Sequence, residues 1–153
     1  MSYSISAPVA FVPAIESSFA TYEAQEHPVG QFFVEQVGSG AGIDVSFAPI
    51  DGPLNILAQT QIFYNQVTKA IVEVNVVFDS AESWAVLPAL SCTSQGSVID
   101  VQAVATHELG HAIGLGHSSS SSALTMYPFY SLGATKQRTL ATGDAKGVQA
   151  IYK

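Results

Sequence analysis

The sequence predicts an α+β domain in which a sheet of about five strands is combined with three helices. Short runs rich in β-branched and aromatic residues are concentrated in the first 78 residues, and glycine or proline clusters separate them. Apolar residues recur at helical spacing in three other segments of the chain. Because 153 residues is the length of one ordinary domain, we expect a single domain over residues 1–153.

The predicted strands are short and lie mostly in pairs around turns. They cover residues 3–5, 31–37, 43–47, 56–64 and 70–78. The glycine-rich segment 38–42 indicates a turn between the second and third strands. Residues 65–69 suit a hairpin between the last two strands.

The first predicted helix covers residues 14–26 and begins after Pro13, a residue favoured in the first turn of a helix. Its apolar face consists of Ile15, Phe19 and Tyr22. The second helix follows Asp100, which is placed to act as its N-cap. Its apolar face consists of Val101, Val104, Leu109, Ala112 and Ile113. The last helix runs from about residue 142 to 152.

Composition argues against two classes of partner. The chain carries 12 acidic and 5 basic side chains, a formal net charge of -7, so it has no basic patch for nucleic acid. No apolar run approaches the roughly 20 residues that span a bilayer, so no membrane partner is expected. The N-terminus shows no export signal, and the single Cys92 excludes an internal disulfide.

The second helix carries the motif His-Glu-x-x-His at His107, Glu108 and His111. Residues four apart lie about 40° apart around a helix and one turn along it, so both imidazoles can reach one ion. An amphipathic helix with solvated histidines produces the same short pattern. The two histidines therefore do not define a metal site by themselves.

The motif continues with Gly114 and His117. Glycine can adopt a left-handed conformation at the helix end and so turn the chain, which lets His117 return as a third ligand. The longer pattern arises by chance far less often than the short one, and it favours a metal site.

Three histidines leave one position of a tetrahedral zinc open for water, as expected of a catalytic site. Zinc lowers the pKa of its bound water toward about 7 and polarises a peptide carbonyl. Glu108, beside the ligands, is then expected to act as the general base on that water. The sequence therefore predicts one catalytic zinc and a zinc-dependent endopeptidase that acts on protein or peptide substrates.

The full pattern His-Glu-x-x-His-x-x-Gly-x-x-His resembles the signature of the metzincin metallopeptidases, and the surrounding segments resemble the matrixin branch. Three stretches carry the resemblance: the active-site helix at 104–118, the Met-turn and pocket wall at 124–130, and the closing helix at 140–152. Weaker similarity extends upstream, so the resemblance covers nearly the whole chain.

The resemblance implies a twisted five-stranded mixed sheet, an active-site helix, a Met-turn and a C-terminal helix. A cleft divides an upper part, about residues 1–114, from a lower part, about 115–153. Met126 would lie beneath the metal without binding it, although ordinary core packing also explains a buried methionine. The resemblance further implies an extracellular protein, and we expect a monomer.

A substrate chain would bind along the edge strand at Leu57 and Ala58 by β-augmentation. The pocket beside the zinc would accept a bulky apolar residue after the scissile bond. Its implied lining consists of Ala103, Val104, Pro128, Phe129 and Tyr130. The small Ala103 predicts a deep pocket, unless this residue merely packs against the sheet.

The sequence departs from the matrixin pattern at several positions. Gln59 and Val77 replace two histidines of the family's structural zinc, and the spare His27 is expected to be solvated. Gly143 replaces the first of two paired aspartates in the family's closing helix, so the salt bridge from that aspartate to a cleaved N-terminus should be absent. Cys92 lies before the active-site helix, where a free thiol is expected rather than a latency switch.

The family's calcium site is better preserved. Asp51, Asp79 and Glu82 match its carboxylate ligands, and hard oxygen donors suit calcium. Three solvated acids near turns would produce the same pattern.

Two other functions compete with the endopeptidase. A catalytically silent, zinc-stabilised domain could bind extended peptides, but it would have no need of Glu108. A small-molecule metallohydrolase would have no need of the edge strand near Leu57.

Overall fold

The computed structural model of the chain describes residues 1–25, 33–35, 42–88 and 97–152. The strands in these ranges are β1 (Ser2–Ser6), β2 (Val34–Glu35), β3 (Ile43–Ala48), β4 (Ala58–Tyr64), β5 (Ile71–Asp79), β6 (Trp84–Ala85) and β7 (Ile99–Asp100). The helices are α1 (Val12–Glu23), α2 (Val101–Ala112) and α3 (Thr142–Ile151), with a 3-10 helix at Lys136–Arg138.

The main sheet has five strands in the order β2-β1-β3-β5-β4. Its first four strands are parallel, and β4 pairs antiparallel with β5. The predicted mixed sheet and the predicted hairpin at residues 65–69 are therefore confirmed. Strand β4 lies at the edge of the sheet and has no strand on its outer side among the described residues.

Most element boundaries agree with the sequence, and the differences have local causes. Strand β4 begins at Ala58 rather than at residue 56, because Leu54 has a positive φ of 66° and the Ile56 amide bonds to the Asp51 carboxylate. Helix α1 ends at Glu23, three residues before the predicted end at residue 26. The rest of the predicted strand around β2, most of the glycine-rich turn, His27 and Cys92 lie outside the described residues.

A short parallel pair, β6 with β7, was not predicted from the sequence. Each strand has only two residues, too few for an alternating pattern to appear. The pair leads directly into α2, because β7 ends at Asp100 and α2 begins at Val101.

The core lies between the sheet and the helices α1 and α2. Ile15, Phe19 and Tyr22 are at most 3% exposed, which confirms the predicted apolar face of α1. The predicted face of α2 is buried as well. The Tyr22 hydroxyl donates a hydrogen bond to the Thr106 carbonyl at 2.8 Å and so ties α1 to α2. None of the described helices is long and apolar enough to cross a lipid bilayer.

The start of α2 is fixed by a buried carboxylate. Asp100 is its N-cap, as predicted, and Oδ1 accepts a hydrogen bond from the Ala103 amide at 2.8 Å. The Arg138 guanidinium forms a two-pronged salt bridge with the same carboxylate, which is fully buried. A buried carboxylate needs a partner of opposite charge, and Arg138 supplies it. Because Arg138 belongs to the 3-10 helix, the pair also joins that helix to the start of α2.

Gly110 allows the closest approach between α2 and the chain beneath it. A Cβ atom at this position would lie 2.3 Å from the Met126 Sδ and 2.6 Å from the Tyr22 hydroxyl oxygen. Both neighbours are buried, so neither can move freely aside. The glycine is needed for packing rather than for an unusual backbone angle.

We predict that Gly110→Ala lowers the free energy of unfolding by about 1–3 kcal/mol, because the added methyl group overpacks this contact. Chemical denaturation monitored by circular dichroism measures the change. Gly116→Ala is the matched control, since a Cβ there meets nothing within 4 Å. Equal stability of the two variants would contradict the assignment.

Candidate metal centre and cleft

Helix α2 carries His107, Glu108 and His111 and ends in a glycine turn. Gly114 has a φ of +98°, the left-handed conformation that its motif position predicted. The Leu115 amide donates to the Gly110 carbonyl and the Gly114 amide donates to the His111 carbonyl, both at 2.9 Å. These two bonds form a Schellman motif, which ends the helix and reverses the chain.

The reversed chain brings His117 back to the two histidines of α2. The His117 Nε2 lies 3.1 Å from the Nε2 of both His107 and His111. Two nitrogens bound to one tetrahedral zinc at about 2.0–2.1 Å are separated by about 3.3 Å. Among the described residues, these three histidines form the one group of three metal-ligating side chains whose ligand atoms lie within 4.8 Å of one another.

Backbone carbonyls orient two of the three rings. The Nδ1 of His107 lies 2.7 Å from the Thr125 carbonyl, and the Nδ1 of His111 lies 2.8 Å from the Leu115 carbonyl. A carbonyl only accepts, so each Nδ1 carries the proton and each Nε2 keeps its lone pair for a metal.

The electrostatics of the site also favour neutral imidazoles. Burial lowers the pKa of His107 to about 4; the hydrogen bond to the Thr125 carbonyl opposes this change, while the neighbouring His111 and His117 contribute to it. Burial and the charge of His111 also lower the pKa of His117. Three imidazole nitrogens that converge on one point fit a zinc ion.

Met126 lies beneath α2. It is 2% exposed, and its sulfur packs against Gly110, between the two histidine positions of the helix. Its carbonyl accepts a hydrogen bond from the Ser118 amide at 2.9 Å, so the turn also supports the segment that follows His117. The resemblance implied a methionine beneath the metal, and the structure shows Met126 beneath the helix that carries two of the three histidines.

Sequence reasoning missed the side chain that holds this turn in place. Asp144, in the first turn of α3, accepts hydrogen bonds from the Thr125 amide at 2.9 Å, the Met126 amide at 3.2 Å and the Ala141 amide at 3.0 Å. The only available signal was its place beside Gly143 in the family's aspartate pair.

Glu108 faces the cleft from α2 and is 6% exposed. Burial raises its pKa, while a hydrogen bond from Thr60 and the charge of His111 act to lower it. The Thr60 hydroxyl, on β4, lies 2.6 Å from the Glu108 Oε2. Thr60 was not singled out from the sequence, although it belongs to the predicted edge strand.

A cleft of about 870 Å³ lies between β4, α2 and the segment after Met126. It contains the three histidines and Glu108. The predicted substrate-binding residues all line it: Leu57, Ala58, Ala103, Val104, Pro128, Phe129 and Tyr130. Gln137 and Leu132 also line the cleft, and the sequence analysis did not identify them.

The segment after Met126 forms one wall of the cleft, and the Tyr130 hydroxyl anchors this wall. Its hydroxyl accepts from the Asp100 amide at 2.9 Å and donates to the Ala134 carbonyl at 2.6 Å. Burial raises the pKa of Tyr130 to about 12, so the hydroxyl remains protonated. Arg138, which pairs with the Asp100 carboxylate, also donates a hydrogen bond to the Leu87 carbonyl at 2.6 Å.

The predicted calcium ligands Asp51, Asp79 and Glu82 lie around the loop at residues 51–56. They do not form a group of three metal-ligating side chains among the described residues. Asp79 accepts hydrogen bonds from the amides of Ala81, Asp51 and Gly52, and these bonds lower its pKa. The Glu82 Oε1 accepts from the Leu54 amide. These carboxylates therefore bind the loop backbone itself.

The mixed sheet, the active-site helix and the three-histidine centre define a metallopeptidase type of domain. The matrixin family model matches residues 13–153. The chain belongs to the matrixin family, and the resemblance seen in its motifs is confirmed.

Individual relatives agree with this assignment. The chain is 38% identical to "Metalloendoproteinase 1-MMP" of Arabidopsis thaliana over 76% of its length, 37% to "Neutrophil collagenase" of Homo sapiens over 69%, and 34% to "Matrilysin" of Homo sapiens over 76%. The matches cover 29%, 20% and 39% of these relatives, so the chain corresponds to a part of each.

Proposed function

We propose that this chain is a zinc-dependent endopeptidase that hydrolyses peptide bonds of extended polypeptides. The observation that carries the proposal is the convergence of three Nε2 atoms beside the buried carboxylate of Glu108, in a cleft bordered by an edge strand. Membership of the matrixin family and the names of the metalloendoproteinase relatives support it.

In the proposed reaction, His107, His111 and His117 would hold a zinc ion through their Nε2 atoms. When bound, zinc lowers the pKa of a coordinated water toward about 7 and polarises the scissile carbonyl. Glu108 takes the proton of the attacking water and then delivers it to the leaving amine. Burial raises the pKa of Glu108, which makes its carboxylate a stronger base than an exposed glutamate.

The edge strand suits a polypeptide substrate. The outer side of β4 presents backbone N–H and C=O groups to the cleft, and an extended chain can pair with them. A substrate lying along β4 would pass over Glu108 and the three histidines. Since both ends of such a chain can continue beyond the site, cleavage inside a polypeptide is favoured over removal of terminal residues.

The side-chain pocket accounts for the proposed selectivity. Ala103 is fully buried and lines the cleft together with Val104 and Pro128. A small residue at this position of α2 leaves room for a bulky apolar residue on the C-terminal side of the scissile bond. Phe129, which is 69% exposed, lies at the rim, where it can contact substrate.

The proposed cofactor set is one zinc, with calcium as a candidate second ion. Gln59 and Val77, which replace two ligands of the family's structural zinc, lie directly opposite each other on β4 and β5. That cross-strand position lacks ligands for a second zinc. The Glu82 Oε2 is buried without a hydrogen-bond partner in the described part of the chain, and a cation beside it would satisfy this oxygen.

The setting of the protein is part of the same proposal. We place the protein outside the cell by family resemblance, acting as a monomer on protein or peptide substrates. Its net charge of -7 supports the expectation that it does not bind nucleic acid.

We predict that Glu108→Gln abolishes peptide hydrolysis but leaves zinc bound, because the three histidines hold the ion while Glu108 transfers the proton. A fluorogenic peptide library measures turnover, and metal analysis of the same sample measures zinc. The wild type should lose activity on chelation and recover it with zinc. A wild-type protein that binds peptides without cleaving them would instead indicate a silent binding domain.

We predict that Ala103→Leu shifts the preference after the scissile bond toward smaller residues, because the added side chain fills the pocket. A change of one methylene in an apolar pocket is worth about 1–3 kcal/mol, so the wild type should show a graded preference for Leu, Met or aromatic residues. Mass spectrometry of library products measures it. Ala20→Leu, on the exposed side of α1, is the control. An unchanged profile in Ala103→Leu would refute the pocket assignment.

We predict one equivalent of tightly bound zinc per chain and an increase in stability with calcium. A calcium concentration of 100 times its Kd should raise the free energy of unfolding by about 2.7 kcal/mol. Atomic absorption and thermal unfolding test the two parts, with Glu82→Gln expected to weaken the calcium effect. Two equivalents of zinc would contradict the first part, and stability indifferent to calcium would contradict the second.

A further inference from the structure

The Thr60 hydroxyl contacts the proposed general base directly. Its Oγ1 lies 2.6 Å from the Glu108 Oε2 and 3.2 Å from the Glu108 backbone carbonyl. A threonine hydroxyl has one proton to donate, and the carboxylate oxygen is both the nearer and the stronger acceptor of the two. The Thr60 hydroxyl therefore donates its hydrogen bond to Oε2.

This bond distinguishes the two oxygens of the Glu108 carboxylate. Oε2 is held by Thr60, whereas no described residue donates a hydrogen bond to Oε1. A general base must keep an oxygen available for the proton that it accepts. Oε1 is therefore the oxygen left for the attacking water.

The edge strand gives Thr60 a fixed direction. Ala58, Thr60 and Ile62 are partly buried, while Gln59, Gln61 and Phe63 between and after them are exposed. The side chain of Thr60 thus belongs to the face of β4 that contacts α2. Its β-branched carbon restricts χ1, so the hydroxyl has little freedom to turn away from the carboxylate.

We propose that Thr60 is a positioning residue that holds the Glu108 carboxylate with Oε1 facing the attacking water. The inference rests on the proposed role of Glu108 as general base. It also links the strand on which the substrate would lie to the group that would move the proton. A strand residue of the same shape without a hydroxyl would fill the space but leave the carboxylate free to rotate.

Thr60→Val tests this role because valine keeps the shape of threonine and removes the hydroxyl. We expect kcat to fall about ten- to a hundredfold, since misplacing a catalytic group by about 1 Å can cost a hundredfold. KM should change less than twofold, and zinc content should stay at the wild-type level. Thr60→Ser, which restores the hydroxyl, should recover kcat to within about threefold of the wild type.

Thr68→Val, at the exposed hairpin turn, is the matched control and should leave kcat unchanged.

The outcomes separate this inference from the proposed function. A wild type that cleaves no peptide refutes the function itself. An active wild type with normal kcat in Thr60→Val, a loss confined to zinc content or stability, or a loss that Thr60→Ser does not recover, refutes the positioning role. If Thr60→Val does not fold, Thr60→Ala replaces it in the same comparison with Thr60→Ser.

Discussion

The geometry of the metal centre depends on how helix α2 ends. Gly114 adopts a φ of +98°, which residues with a Cβ rarely reach, and the chain reverses within a few residues. The Leu115 amide closes the helix, while the Leu115 carbonyl orients the ring of His111. The same turn returns His117 to within 3.1 Å of His107 and His111. One backbone conformation therefore orients one histidine of the triad and brings another to it.

The other side of the centre is built by the segment around Met126, and a distant carboxylate holds it. Asp144 accepts three backbone N–H groups, which are strong hydrogen bonds because the acceptor is charged. They fix Thr125, whose carbonyl orients His107. Helix α3 thus contributes no residue to the histidine triad, yet its first turn determines the orientation of the His107 ring. Gly110 then lets Met126 pack closely beneath α2.

Burial gives the centre its chemical character. It lowers the pKa of His107 and His117, which keeps the imidazoles neutral and able to bind a cation. It raises the pKa of Glu108, and the hydrogen bond from Thr60 opposes part of that change. The same low-polarity cleft therefore favours metal binding by the histidines and basicity in the carboxylate. The buried Asp100–Arg138 pair fixes the start of α2, and the Asp100 amide also bonds to Tyr130, which lines the cleft.

The sequence by itself determined the features that follow from spacing along one element: the histidines one helical turn apart, the Asp100 cap, the glycine turn and the hairpin of β4 and β5. Local geometry imposes these patterns, so they are visible without the fold. Only the tertiary structure decided which groups support them. Thr60 is 48 residues from Glu108, and Thr125 is 18 residues from His107. Hydroxyls and carbonyls occur throughout any chain, and no spacing rule predicts contacts between separate elements. For the same reason the sequence could place Asp51, Asp79 and Glu82 near turns, but only the fold showed them binding backbone amides.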